Sequence, residues 1–101
     1  MHGTFMNATS WFWADMSGAP WVQGVDKPLP VRLWDEGFDV WLGNMRGTMY
    51  SREHQTLDSS DVNSDYWNFS MAEKGMLDVP AAVMKIKEVT NVDKVAYAGY
   101  S

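Results

Sequence analysis

The chain has no cysteine, only eight basic residues against thirteen acidic ones, and two histidines. Nowhere does it stay apolar for the roughly 20 residues that a membrane-spanning helix requires. Each scarcity removes a class of function. Without cysteine there is no disulfide framework and no thiolate-ligated metal site. A net charge of -5 and the lack of any basic run argue against nucleic acid or an anionic membrane surface as partner. Two histidines with no spaced carboxylate or thiol beside them do not compose a metal site. Met1 is followed by His-Gly-Thr, so neither a basic n-region nor an apolar h-region of a signal peptide opens the segment. There is no internal repeat and no low-complexity tract.

What is present is a globular composition. The 101 residues allow one domain at most. Hydrophobic residues make up 46% and aromatic residues 14%, with six tryptophans, enough to expect a large core or an apolar ligand surface.

Residues 1–24 are rich in Gly, Ser, Asn and Trp without a sustained period. They read as a loop with one helical turn near 8–13. Pro28-Leu29-Pro30 then opens a short helix, because proline is tolerated in a first turn. Gly37 suits the left-handed position after that helix ends. Phe38-Asp39-Val40-Trp41-Leu42 is short, β-prone and nearly all apolar, which predicts a strand buried on both faces. Residues 45–69 are a long polar connection carrying Arg46, His54, Asp58, Asp61 and Asp65. Ser70-Met71-Ala72-Glu73 has the form of a capping box. Ala72, Met76, Val79, Val83 and Ile86 then recur at helical spacing to about residue 89. Pro80, inside this pattern, should kink the helix or shift its start. Asn91 and Asp93 mark the exit, and 94–98 is the second predicted strand. This alternation predicts an α/β fold with part of a mostly parallel sheet and flanking helices.

The second apolar segment runs directly into Gly99-Tyr100-Ser101. A strand entering Gly-x-Ser is the first half of a nucleophile elbow, the G-x-S-x-G turn of α/β-hydrolases. Ser101 is therefore the candidate nucleophile, with Gly99 giving the turn its room. An alcohol needs a positioned base, and in that fold the acid and base follow the serine in the chain. His2, which precedes it, is read as stabilising a turn. His54 is read as a hydrogen-bonded or surface residue of the polar loop. Arg46, between Asn44 and Gly47, is read as locking the loop after the first apolar segment. Phe5, Trp11, Phe12, Trp13 and Trp21 are candidates to line an acyl-chain pocket, with core packing as the equal alternative for the tryptophans. Asn7-Ala8-Thr9 and Asn68-Phe69-Ser70 fit the glycosylation sequon.

Five blocks resemble the acid lipase family, the α/β-hydrolases that include lysosomal and gastric lipases. They are His2-Gly3-Thr4-Phe5-Met6 with Ser10-Trp11, residues 37–47 from Gly37 to Gly47, Ser51-Arg52-Glu53-His54, Tyr66-Trp67-Asn68-Phe69-Ser70, and Leu77-Asp78-Val79-Pro80-Ala81. They occur in family order and span essentially the whole chain. Two departures stand out. Tyr100 replaces the usual histidine of the elbow, and Ala72-Glu73-Lys74 replaces the usual acidic pair.

The resemblance implies that residues 1–101 are a partial α/β-hydrolase domain, from oxyanion turn to nucleophile elbow, incomplete at both ends. It implies that the Thr4 backbone N–H is an oxyanion-hole donor beside the His2-Gly3 turn, and that neutral lipid esters, acylglycerols or sterol esters, are the substrates. It implies no cofactor or metal, contact with a lipid interface, and a secreted, lysosomal or vacuolar location. It also implies that the strand leading into His2-Gly3 would lie between residues 38–42 and 94–98, so those two would not be direct neighbours. A segment with the nucleophile but no downstream acid or base is expected to be inactive alone. Two rival readings keep the fold and change the function. One is a non-catalytic relative that binds an apolar ligand or a protein; the other is a short-chain serine esterase.

Overall fold

The computed structural model describes residues 1–15 and 27–101; Trp21 lies outside them. The elements in order are a 3-10 segment Ala8–Asp15, helix α1 (Leu29–Asp35), a 3-10 turn Asp65–Trp67, and a continuous helical stretch. That stretch comprises α2 (Met71–Glu73), a π-helical segment Lys74–Asp78 and α3 (Val79–Thr90).

Each helix end follows from its sequence. Pro28 and Pro30 open α1, where the missing N–H groups would have had no partner in any case. At its exit Gly37 stands at φ +87°, and the Gly37 and Phe38 N–H groups return to the Trp34 and Leu33 carbonyls at 2.9 and 3.0 Å. This paired return satisfies the orphan carbonyls of the last turn. The capping box at α2 is complete. The Ser70 hydroxyl accepts from the Ala72 N–H at 3.1 Å, and the Glu73 carboxylate accepts from the Ser70 N–H at 2.7 Å and from its hydroxyl at 2.6 Å. Those bonds, led by the Ser70 hydroxyl, hold the Glu73 carboxyl down at about 2.

Pro80 stands in the first turn of α3, so the α-helical part restarts there. Upstream of it the hydrogen bonding switches to π, with the Val79 N–H reaching the Lys74 carbonyl. One inserted residue shifts the helical register there. Accordingly the expected apolar stripe divides: Val79, Val83 and Ile86 face inward along a groove, whereas Met76 is turned outward. Asn91, at φ +56°, closes α3 by donating its N–H to the Lys87 carbonyl.

The expected α/β fragment with part of a parallel sheet is overturned: the described residues contain helices and no strand. Residues 38–42 and 94–98 are non-helical but carry no ladder of backbone hydrogen bonds. The physical reason is that a strand exists only through its neighbour, and neither segment lies beside another chain segment that supplies paired N–H and C=O groups. Burial fails with it. Phe38, Trp41 and Leu42 are 58, 45 and 39% exposed, not covered on both faces. Among the described residues, the buried apolar residues are few: Ala8, Met45 and Tyr66.

Between the two unladdered segments lies an apolar groove of about 540 Å³, lined among others by Met1, Leu33, Val83 and Ile86. Met1 bridges both walls. Its nitrogen donates to the Ala98 carbonyl, and its Cε lies 3.2 Å from where a Gly43 Cβ would stand. Among the described residues no helix is long and apolar enough to cross a membrane.

Candidate active site

The two ends of the described chain meet. A Cβ placed on Gly3 would lie 3.0 Å from the Ser101 Cβ, 3.4 Å from its Oγ and 3.3 Å from the Tyr100 ring. A side chain at position 3 would therefore press on Ser101 and Tyr100, which would have to give by a few tenths of an ångström. Ser101 is exposed and held at φ +60°, a left-handed conformation that costs a non-glycine residue about 1–3 kcal/mol. No side chain among the described residues hydrogen-bonds its Oγ.

The turn beside it is closed by the Met6 N–H donating to the Gly3 carbonyl at 3.2 Å. Phe5 occupies this turn at φ +62° with its side chain wholly in solvent. The Thr4 N–H has no protein acceptor among the described residues, while its hydroxyl approaches the Met71 sulfur at 3.9 Å.

His2 is buried, at 4% exposure. Its Nε2 accepts the Met45 N–H at 3.1 Å, so the ring proton resides on Nδ1, which donates to the Gly3 carbonyl at 2.9 Å. Both nitrogens are thus spent on backbone, leaving none to take a proton from Ser101. Asn44 works from the same side: its Oδ1 accepts the Ala8 N–H at 2.9 Å, capping the 3-10 segment.

Arg46 is engaged by Asp78. Its Nε and terminal nitrogen each sit 2.7 Å from Asp78 Oδ1, and its own N–H donates to Asp78 Oδ2 at 2.9 Å. The Asp78 hydrogen bond raises the guanidinium above its ordinary value. This fork ties the turn after residue 44 to the π-helical segment. Gly47, at φ +81°, packs so closely that a Cβ there would be 2.6 Å from Phe69 Cζ. His54 accepts the Thr56 and Leu57 N–H groups on Nδ1 at 3.2 and 3.0 Å.

Among the described residues expected at an acyl pocket, Trp11 lines the apolar groove, whereas Phe5 is fully exposed and Trp13 half-exposed. Ser101 is not part of the groove wall, so that volume and the candidate nucleophile are separate features. Gly99 packs on its neighbour, with the Tyr97 ring 3.2 Å from a Cβ placed there. Two residues to which sequence reasoning assigns no part in the nucleophile turn are tied to it: Ser10 and Asn7. The departure at position 100 is the available signal for both, since a tyrosine brings a hydroxyl that must find a partner.

Comparison with known proteins agrees with the five sequence blocks. The chain is 45% identical to Lipase 1 of Drosophila melanogaster over 87 residues, covering 86% of this chain and 19% of that protein. It is 41% identical to the lysosomal acid lipase/cholesteryl ester hydrolase of Rattus norvegicus over 91 residues, 89% of this chain and 22% of that one. It is 38% identical to human Lipase member M over 100 residues, 99% and 21%. No family model and no solved structure matches the chain. It spans about a fifth of the length of the curated relatives it matches. Over that span the chain belongs to the family of lipases that includes lysosomal acid lipase and Lipase member M.

Proposed function

We propose that this chain supplies the nucleophile and one oxyanion donor of a serine hydrolase acting on carboxylic esters of neutral lipids, acylglycerols or sterol esters. Ser101 Oγ attacks the ester carbonyl as a histidine beyond position 101 takes its proton. The carbonyl oxygen becomes an oxyanion held by the Thr4 N–H and by the amide that follows Ser101. Collapse of the tetrahedral intermediate expels the alcohol, which receives the proton, and leaves an acyl-serine. Water, deprotonated by the same histidine, then releases the fatty acid. A donor of this kind contributes about 2.7–4 kcal/mol to acyl transfer.

The observation carrying this reading is the meeting of the Gly3 turn with Ser101, across almost the full length of the chain. An exposed serine in left-handed conformation, beside a backbone N–H with no internal acceptor, is what attack and oxyanion capture both need. Phe5 and Trp13, exposed nearby in sequence, supply apolar contact for a lipid interface, while Trp11 serves the groove. A secreted or lysosomal location follows from the same reading. His2, committed to backbone on both nitrogens, is not the base for Ser101, and the 101-residue chain is expected to be inactive alone.

Two assays test this. A protein carrying the segment at the relatives' full length should hydrolyse emulsified long-chain esters in preference to soluble short-chain ones, and Ser101→Ala should abolish turnover and fluorophosphonate labelling together. The isolated chain should do neither. Retained hydrolysis in Ser101→Ala, or turnover by the isolated chain, overturns the assignment.

A further inference from the structure

We propose that Tyr100 is a positioning residue that clamps the nucleophile turn to the oxyanion turn; this rests on the reading of Ser101 and Thr4 given above. The Tyr100 hydroxyl donates to Ser10 Oγ and lies 3.2 Å from the Met6 sulfur. Ser10 is buried and passes the bond on, its own hydroxyl donating to the Asn7 carbonyl at 2.6 Å. Asn7 in turn fixes its loop, with Oδ1 accepting from the Thr9 N–H at 2.9 Å and the Thr9 hydroxyl at 2.6 Å. The ring meets Trp11 edge to face, centroids 4.8 Å apart at 87°. Its other edge is 3.3 Å from where a Gly3 Cβ would stand.

Tyr100 therefore touches the loop on both sides of Thr4, at Gly3 and at Met6, while being joined by one peptide bond to Ser101. The other hydrogen bond joining residues 98–101 to residues 1–13, among those described, is the backbone contact from Met1 to Ala98. The side-chain part of the connection is Tyr100 alone. Displacing an oxyanion donor by an ångström is enough to cost about a hundredfold in rate, so a clamp of this kind acts on turnover and not on ground-state binding. The hydroxyl is the part that matters, because the ring contacts survive its removal.

The experiment compares Tyr100→Phe, Ser10→Ala and the double variant in the full-length protein. Active sites are counted by fluorophosphonate titration, so that misfolded molecules do not enter kcat. Each single variant should lose about tenfold in kcat with KM unchanged, the signature of an interaction made only in the transition state. The double variant should lose no more than either single one, because both break the same bridge. The fluorophosphonate labelling rate should fall in parallel. Wild-type kcat per titrated site, a change confined to KM, or losses that multiply in the double variant would overturn the proposal. Should Tyr100→Phe not fold, Ser10→Ala carries the test with the same expected loss. Ser101→Ala is run alongside: its activity tests the underlying reading, whereas an inactive Ser101→Ala with a wild-type-like Tyr100→Phe sinks the clamp alone.

Discussion

Alanine at position 47 should be among the most damaging single-methyl changes in the chain, and its cost can be assembled from two separate contacts. Gly47 stands at φ +81°, where an L-residue pays about 1–2 kcal/mol. The new methyl would also meet Phe69 Cζ at 2.6 Å and Trp67 Cζ3 at 3.2 Å. Phe69 cannot retreat freely. Its ring is flanked by Arg46 at 5.9 Å and Lys74 at 5.3 Å, and it packs on Trp67 at 6.1 Å. Overpacking of this kind adds about 1–3 kcal/mol, for a sum of about 2–5 kcal/mol. Two other glycines serve as controls. Gly37, at φ +87° with nothing within 4 Å of an added methyl, carries the backbone cost alone, about 1–2 kcal/mol. Gly75 has open space and no positive φ, so Gly75→Ala in its helical segment should stabilise by about 0.5–1 kcal/mol. Urea unfolding followed by tryptophan fluorescence gives the ranking, and amide exchange in residues 46–51 shows that the loss is local. Equal costs at Gly47 and Gly37 would refute the steric half of the reasoning. A neutral Gly37→Ala would refute the conformational half.

Asp78→Ala should cost about 1.5–3 kcal/mol, the lower end reflecting the one-third exposure of the Arg46 side chain. Asp78→Asn, which keeps an acceptor but no charge, should cost about half that; a double-mutant cycle with Arg46→Met measures the coupling. The Glu73 carboxyl is held at about 2 against an ordinary value of 4.5. A depressed carboxyl contributes stability above its unfolded value and loses it as the pH falls through the folded one. Protection of the Ser70 and Ala72 amides should therefore decline between about pH 4.5 and pH 2. Glu73→Gln should flatten that decline, and an unchanged pH profile would count against the cap. His2→Ala should leave the buried Met45 N–H without its acceptor, at a cost of about 1–3 kcal/mol. The Met45 amide should then exchange faster while remote amides do not.

How much of the fold is legible in the sequence depends on whether the cause is local. Both proline-opened and serine-capped helix starts, the glycine exit of α1 and the asparagine exit of α3 are decided within four residues, and the sequence states them outright. The π-helical segment is half legible. Pro80 announces a disturbance, but whether a helix kinks or inserts a residue depends on what holds the preceding turn, here the Asp78 carboxylate gripped by Arg46 from 32 residues away. The expected strands fail for a different reason. Apolar, β-prone composition at 38–42 and 94–98 expresses a capacity to pair, and pairing is a property of two segments. With no neighbour supplying a ladder, only the single Met1–Ala98 contact among them, the segments form no strand, and much of their apolar surface is exposed.

The site divides along the same line, and the division bears on its chemistry. Gly-x-Ser marks a turn, but its composition does not indicate what lies against that turn. The serine gains meaning from Gly3, whose lack of a Cβ lets the two turns approach this closely without pressing on Ser101 and Tyr100. His2 gains its meaning the same way. Read alone, a histidine two residues from an oxyanion donor invites the role of base. Placed between the Met45 N–H and the Gly3 carbonyl, it becomes the post that holds the donor's own turn in place. With both ring nitrogens engaged by backbone, His2 offers no free nitrogen toward Ser101. On the proposed reading of Ser101, its base is a histidine other than His2, one whose ring has a free nitrogen facing Oγ.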